Sequence, residues 1–139
     1  MKKIVIFTGR YLPGYKDGGP IRSIVNLTDM LGDEYDFYIV CLDRDHKDTE
    51  PYSGIKKNCW NKVGKANVWY VSPNGFKKNL ILERIKGMDI VYLTSFYRDY
   101  GYKALWLKKI GKIKQPVFLA SMGVFSAGAL SQKVIKKRS

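Results

Sequence analysis

The feature that most constrains this chain is an alternation in which short, β-branched apolar runs take turns with segments whose apolar residues recur at helical spacing. Lys3 to Thr8 is the first such run. Gly9 closes it, and a short run bounded by a turn reads as a strand buried on both faces. A loop, Arg10 to Gly19, follows. From Pro20 to Leu31, the residues Ile21, Ile24, Val25, Leu27 and Leu31 fall on one helical stripe, with Pro20 suited to the first turn and Gly32 to the C-cap. Phe37 to Leu42 is the next buried run. The first third is therefore a βαβ unit, whose crossover is expected to be right-handed.

Asp43 to Lys65 is polar and without sustained periodicity, punctuated by Pro51, Gly54 and Gly64, so the sequence predicts a long surface excursion there. Val68 to Val71 reads as a strand. Ser72-Pro73-Asn74-Gly75 then predicts a turn before a helix of about ten residues ending at Gly87. Asp89 to Thr94 is a further strand, Tyr102 to Ile110 a helix capped by Gly111, Val117 to Ala120 a fifth strand, and Ala127 to Lys137 a last helix. Such an order implies an α/β fold with a doubly wound, mostly parallel sheet and helices on both faces. Residues 1–139 are enough for one such domain.

Composition removes several alternatives. The longest apolar runs fall far short of the roughly 20 residues that cross a bilayer, and Arg10 interrupts the first run too early for a signal peptide. A cytoplasmic protein is expected. Cys41 and Cys59 lie in different segments without CxxC spacing, and His46 is the sole histidine, so neither a zinc site nor a disulfide is expected. The net charge of +13 is lopsided, with 7 Lys or Arg against 9 acids in residues 1–50 and 18 against 3 in residues 51–139. A field of that sign attracts phosphates, nucleic acid or an anionic membrane surface, and it equally fits solvated lysine-rich helix faces.

In open parallel sheets, ligands bind outside the carboxyl ends of the strands, which turns attention to the loops after the first, fourth and fifth strands. The first loop places Gly18 and Gly19 directly at a helix N-terminus. Such glycines let a backbone approach a phosphate, Arg22 in the first turn adds a bidentate donor, and the alternative is that the glycines only shape the turn. They do not form the GxGxxG dinucleotide fingerprint. Asp17 suits either an acceptor hydroxyl or the helix dipole. His46 reads as a solvated loop residue before it reads as a base, and Ser95 and Ser121 have no matching His and Asp. Tyr97, Arg98, Tyr100 and Tyr102 could stack on sugars or bases, or pack a loop against the next helix.

Leu12-Pro13-Gly14, then Asp17-Gly18-Gly19-Pro20-Ile21-Arg22-Ser23, then Leu27, resemble the opening of bacterial glycosyltransferases of family four. Tyr52-Ser53-Gly54-Ile55, Trp60-Asn61-Lys62-Val63-Gly64 and Val68-Trp69-Tyr70 resemble that group's variable segments. The stretch Ser121-Met122-Gly123-Val124-Phe125-Ser126-Ala127-Gly128-Ala129-Leu130-Ser131 resembles its later Ser-Pro-Arg-Gly-Met-Phe-Ser-Pro-Gly-Ala-Leu-Ser type segment. The resemblance implies the Rossmann-like, acceptor-side half of a GT-B fold, acting in surface polysaccharide synthesis. It implies a nucleotide sugar as co-substrate with no cofactor or metal, and a saccharide or lipid-linked acceptor.

On that resemblance Gly18, Gly19 and Arg22 approach the donor phosphates, while Asp17, Ser95, Phe96, Ser121 and Gly123 line the acceptor cleft. Two departures bear on activity. Met122 stands where many members carry a basic residue, and the paired glutamates eight positions apart of the C-terminal donor domain have no counterpart among Glu34, Glu50 and Glu83. The chain by itself is therefore expected to be inactive and completed by a C-terminal domain. If the acceptor is lipid-linked, the basic second part is expected to dock peripherally on the inner face of the membrane. The competing expectation is a basic polyanion-binding module, prompted by lysines at 56–65, 108–114 and 133–138 and by no sequence-specific nucleic-acid motif.

Overall fold

The computed structural model describes residues 2–14, 18–44, 48–94 and 99–119. The elements in chain order are β1 (Lys2–Phe7), α1 (Gly18–Leu31), β2 (Tyr35–Leu42), β3 (Asn61–Val63), β4 (Ala66–Val71), α2 (Lys78–Ile85), β5 (Ile90–Leu93), α3 (Asp99–Lys109) and β6 (Val117–Leu119). They form an α/β protein around one six-stranded sheet of order β3-β4-β2-β1-β5-β6. Every pairing is parallel except β3 with β4. The expected final helix, Ala127 to Lys137, lies outside the described residues.

Strand periodicity sorts the core into two layers, because successive side chains point to opposite faces. Ile4 and Ile6 join Phe37, Ile39, Cys41, Val68 and Ile90 beneath Ile21, Ile24, Leu27 and Leu31 of α1. Val5 and Phe7 join Val40, Val91 and Leu93 on the other face, against Ile81 and Ile85 of α2 and Tyr100, Ala104 and Leu107 of α3. Each fully buried aliphatic side chain contributes about 1.5–3 kcal/mol, so the central strands anchor both layers.

Two local expectations are corrected. The polar excursion is not structureless throughout, since its last residues form β3, an edge strand that turns into β4 through Gly64 and Lys65. Gly64 has φ 59°, as a two-residue hairpin with glycine at its first central position requires. Gly32 does not end α1 in the left-handed conformation, unlike Gly87 (φ 78°) and Gly111 (φ 83°). A Cβ at Gly32 would meet Thr28 O and lie 2.7 Å from Lys65 Cβ, so the constraint there is close approach of the β3–β4 hairpin.

Among the described residues no helix is long and apolar enough to cross a membrane.

Candidate functional site

Because five of the six strands run parallel, the carboxyl ends of β1, β2, β4, β5 and β6 share one edge of the sheet. At its centre lies the gap between β1 and β5, where the chain's crossovers change direction. The ladder runs past the end of β1 on both sides: toward β2, Thr8 N donates to Val40 O (3.0 Å) and Leu42 N to Gly9 O (3.0 Å), and toward β5, Thr94 N donates to Phe7 O (3.2 Å). The Thr94 hydroxyl also donates to Phe7 O at 3.2 Å, and its oxygen lies 2.7 Å from Tyr100 Oη. A hydroxyl has one proton, so Tyr100 is the donor of that second bond.

The first loop is fastened where it leaves β1. Tyr11 is buried, Gly14 N donates to Tyr11 O (3.0 Å), and Tyr70 Oη donates to Leu12 O from β4. Tyr52, from the excursion, meets Tyr70 edge to face at 5.9 Å, and a Cβ on Gly14 would collide with its hydroxyl. Burial pushes the Tyr11 and Tyr70 phenols up from their ordinary pKa, so both hydroxyls stay protonated as donors. The brace fixes where the loop starts.

Of the residues expected to touch phosphate, Gly18 and Gly19 open α1, and Arg22 is exposed one turn further along the same helix. The structure thus brings these three to one helix N-terminus. Asp17, Ser95, Phe96, Ser121 and Gly123, with His46, Tyr97 and Arg98, lie outside the described residues. The expected aromatic cluster divides. Tyr100 is a core residue stacked near Phe7 and Phe76, whereas Tyr102 is 51% exposed.

Sequence reasoning missed the second corner of this edge, beyond the ends of β2 and β4. Asp43, Lys57, Asn58, Trp69, Tyr70, Val71, Ser72, Gly75 and Leu80 line a cavity of about 310 Å³ there. Asp43 is 4% exposed. Its amide donates to Val71 O (2.8 Å), and its Oδ1 accepts from Arg44 Nε (2.8 Å). The available signal was an acid immediately after a buried strand, at the edge where ligands bind.

Trp69 is held in place on the α2 side of β4. The Arg84 guanidinium lies 3.7 Å from its ring centroid, and Trp60 meets it edge to face at 5.4 Å. Trp60 in turn meets Tyr38 at 5.0 Å. Desolvation in this aromatic setting pulls the Arg84 pKa down from its ordinary value, far too little to discharge a guanidinium. The cation therefore remains a π partner.

Among the described residues no group of three or more His, Cys, Asp or Glu could hold a metal ion. Compared with known proteins, the chain matches no family model, no curated protein and no solved structure.

Proposed function

We propose that the chain is the acceptor-side half of a GT-B glycosyltransferase, a doubly wound Rossmann-like domain serving sugar transfer from a nucleotide sugar to a saccharide or lipid-linked acceptor. One observation carries the reading. The strand order β4-β2-β1-β5-β6 is parallel throughout, and the Gly18-Gly19 start of α1 directly follows β1, the strand at the centre of that edge. Helix α1 on one face and α2 with α3 on the other supports the doubly wound description.

In this reading the free amides of the first turn of α1 bind an anion, and Gly18 and Gly19 leave room for the donor phosphates. Arg22 adds a charge-assisted contact. The acceptor approaches from the loops after β5 and β6, through Ser95, Phe96, Ser121 and Gly123. Asp17 orients its hydroxyl.

A lipid-linked acceptor requires an enzyme that works at a membrane surface, and the outer side of α3 supports this. Tyr102, Trp106 and Ile110 recur four residues apart and stay 51%, 47% and 46% exposed. Lys78 Nζ lies 3.9 Å from the Trp106 ring centroid, and these two residues line an open groove with Tyr102 and Lys103. Interfacial aromatics flanked by lysines suit an anionic lipid surface, with about 1 kcal/mol from each nearby lysine. Co-sedimentation with anionic vesicles, weakened by salt and absent with neutral vesicles, is the expected result. Binding indifferent to lipid charge and salt overturns the membrane role.

The transfer reading is tested by label transfer. The product of the whole reading frame is incubated with radiolabelled nucleotide sugars and a lipid-extracted acceptor fraction. Transfer is expected, and Gly18→Val with Gly19→Val is expected to abolish it by blocking close approach of the phosphates. No transfer from any donor, together with sequence-selective binding of oligonucleotides, would replace this reading with the polyanion-binding one.

A further inference from the structure

We propose that the cavity at the β2/β4 corner is a binding subsite for one neutral pyranose ring, a position outside the loops assigned above to donor and acceptor. That this ring belongs to the acceptor rests on the transfer reading; that a sugar ring binds here rests on the cavity alone.

The lining has the chemistry of a sugar site. Asp43 supplies a buried carboxylate whose oxygens accept hydroxyl protons, and two lone pairs on each oxygen leave capacity beyond the Arg44 bond. Two vicinal hydroxyls can both donate to one such group. Lys57 and Asn58 bring donors at the rim, and Ser72 can either donate or accept. Leu80, Val71 and Trp69 give the apolar side that the C–H face of a pyranose needs. A volume of about 310 Å³ lies at the small end of ligand pockets, which suits one ring rather than a nucleotide.

The cavity is built rather than incidental, because each wall is separately fixed. Asn61 staples the loop that carries Lys57 and Asn58: its Oδ1 accepts from Lys56 N (2.9 Å), and its Nδ2 donates to Lys56 O (2.9 Å) and Cys59 O (3.2 Å). Asn58 adopts φ 59°, a left-handed conformation that asparagine tolerates and most residues do not. Gly75 keeps the floor open, since a Cβ there would run into Val71 Cγ1 and lie 3.1 Å from Ser72 O and Oγ. Asp43 is tied to the strand end by its amide and to Thr49 O through Arg44.

The test is a titration of the 15N-labelled chain with methyl glycosides of glucose, galactose, mannose and N-acetylglucosamine, at concentrations on the order of tens of millimolar, as fits a weak single-ring site. At least one glycoside is expected to shift the Asn58, Ser72 and Gly75 amides and the Trp69 indole together. Asp43→Asn, which keeps the shape, and Ser72→Leu, which fills the mouth from an exposed position, should each raise that dissociation constant at least ten-fold. The proposal is overturned if no glycoside moves these signals, if both variants bind as the parent does, or if inorganic phosphate moves them instead. The two readings fail separately. Glycoside binding without sugar transfer by the full protein leaves the subsite and removes the transfer reading, whereas transfer with no glycoside shift at these residues does the reverse; transfer that both variants leave intact, despite weakened glycoside binding, removes only the assignment of the ring to the acceptor.

Discussion

The two corners of the sheet's carboxyl edge are made of different materials. At the β1/β5 corner most of the described groups are backbone, namely strand amides already committed to the ladder and the glycine-led first turn of α1, and the Thr94 and Tyr100 hydroxyls there are hydrogen-bonded to each other. At the β2/β4 corner they are side chains, with a buried carboxylate, a lysine, an asparagine and a serine around an apolar wall. Unpaired helix amides suit an anion, and a mixed side-chain lining suits a hydroxylated neutral ring. On the proposed reading, one edge would hold the two kinds of group that a glycosyl transfer requires. The corners also share a structural member, since Tyr70 both lines the cavity and secures the first loop through Leu12.

The largest expected effect is under alkali, and it acts through the buried phenols rather than through either corner alone. Tyr92 is pushed up to about 12 by burial, and Tyr11 and Tyr70 are raised for the same reason. A pKa raised on folding gives stability that is complete below the unfolded value near 10 and disappears as pH climbs through the folded value. Stability should therefore fall between pH 10 and 12 by up to about 1.4 kcal/mol per pH unit from Tyr92, with Tyr11 and Tyr70 acting in the same direction. Urea unfolding at stepped pH checks this, and Tyr92→Phe should flatten the slope. An unchanged slope would mean the phenols are not protected by folding.

Next in size is the fit between the first loop and the excursion. Gly14→Ala should cost about 1–3 kcal/mol, because the new methyl meets the Tyr52 hydroxyl and lies 3.0 Å from Tyr11 O. The cost should shrink in a Tyr52→Ala background, measured as a double-mutant cycle in denaturant midpoints. Additive losses would show that the tyrosine does not brace the loop. Tyr70→Phe removes one donor to Leu12 O and should cost about 0.5–1.5 kcal/mol. Faster amide exchange at Leu12 and Gly14, without change at Asn58, would separate the two corners. The smallest expected stability change, within about 0.5 kcal/mol, belongs to Trp106→Ser and Tyr102→Ser, which touch neither corner. Loss of anionic-vesicle binding in these variants is the readout that matters.

Much of the fold was legible because its signal is local. The stripe Ile21, Ile24, Leu27 and Leu31 is buried as its spacing predicts, and the runs at residues 3–8, 37–42, 68–71 and 89–94 each overlap a strand of the central sheet, three of which begin one or two residues earlier. Strand β3 escaped because three residues at an edge, two half-buried and one exposed, carry no run to detect. Gly32 was placed correctly for the wrong reason, since what excludes a side chain there is Lys65 from a distant hairpin. The position of Gly18, Gly19 and Arg22 at one helix start, on which the proposed phosphate contact rests, could be named from the sequence, because a glycine pair at a helix start is contiguous in the chain.

The second corner could not be named that way. Asp43, Lys57, Ser72 and Leu80 are spread over nearly 40 positions and become neighbours only when β2 and β4 pair in register, Leu42 beside Val71. The sequence by itself determined the alternation of elements, the two apolar layers and the glycine-led helix start, since each follows from periodicity or backbone freedom over a few consecutive residues. Only the tertiary structure decided which loops meet, which tyrosines hold the first loop, and that a buried aspartate lines a cavity, because those depend on strand order and on contacts between residues far apart in the chain.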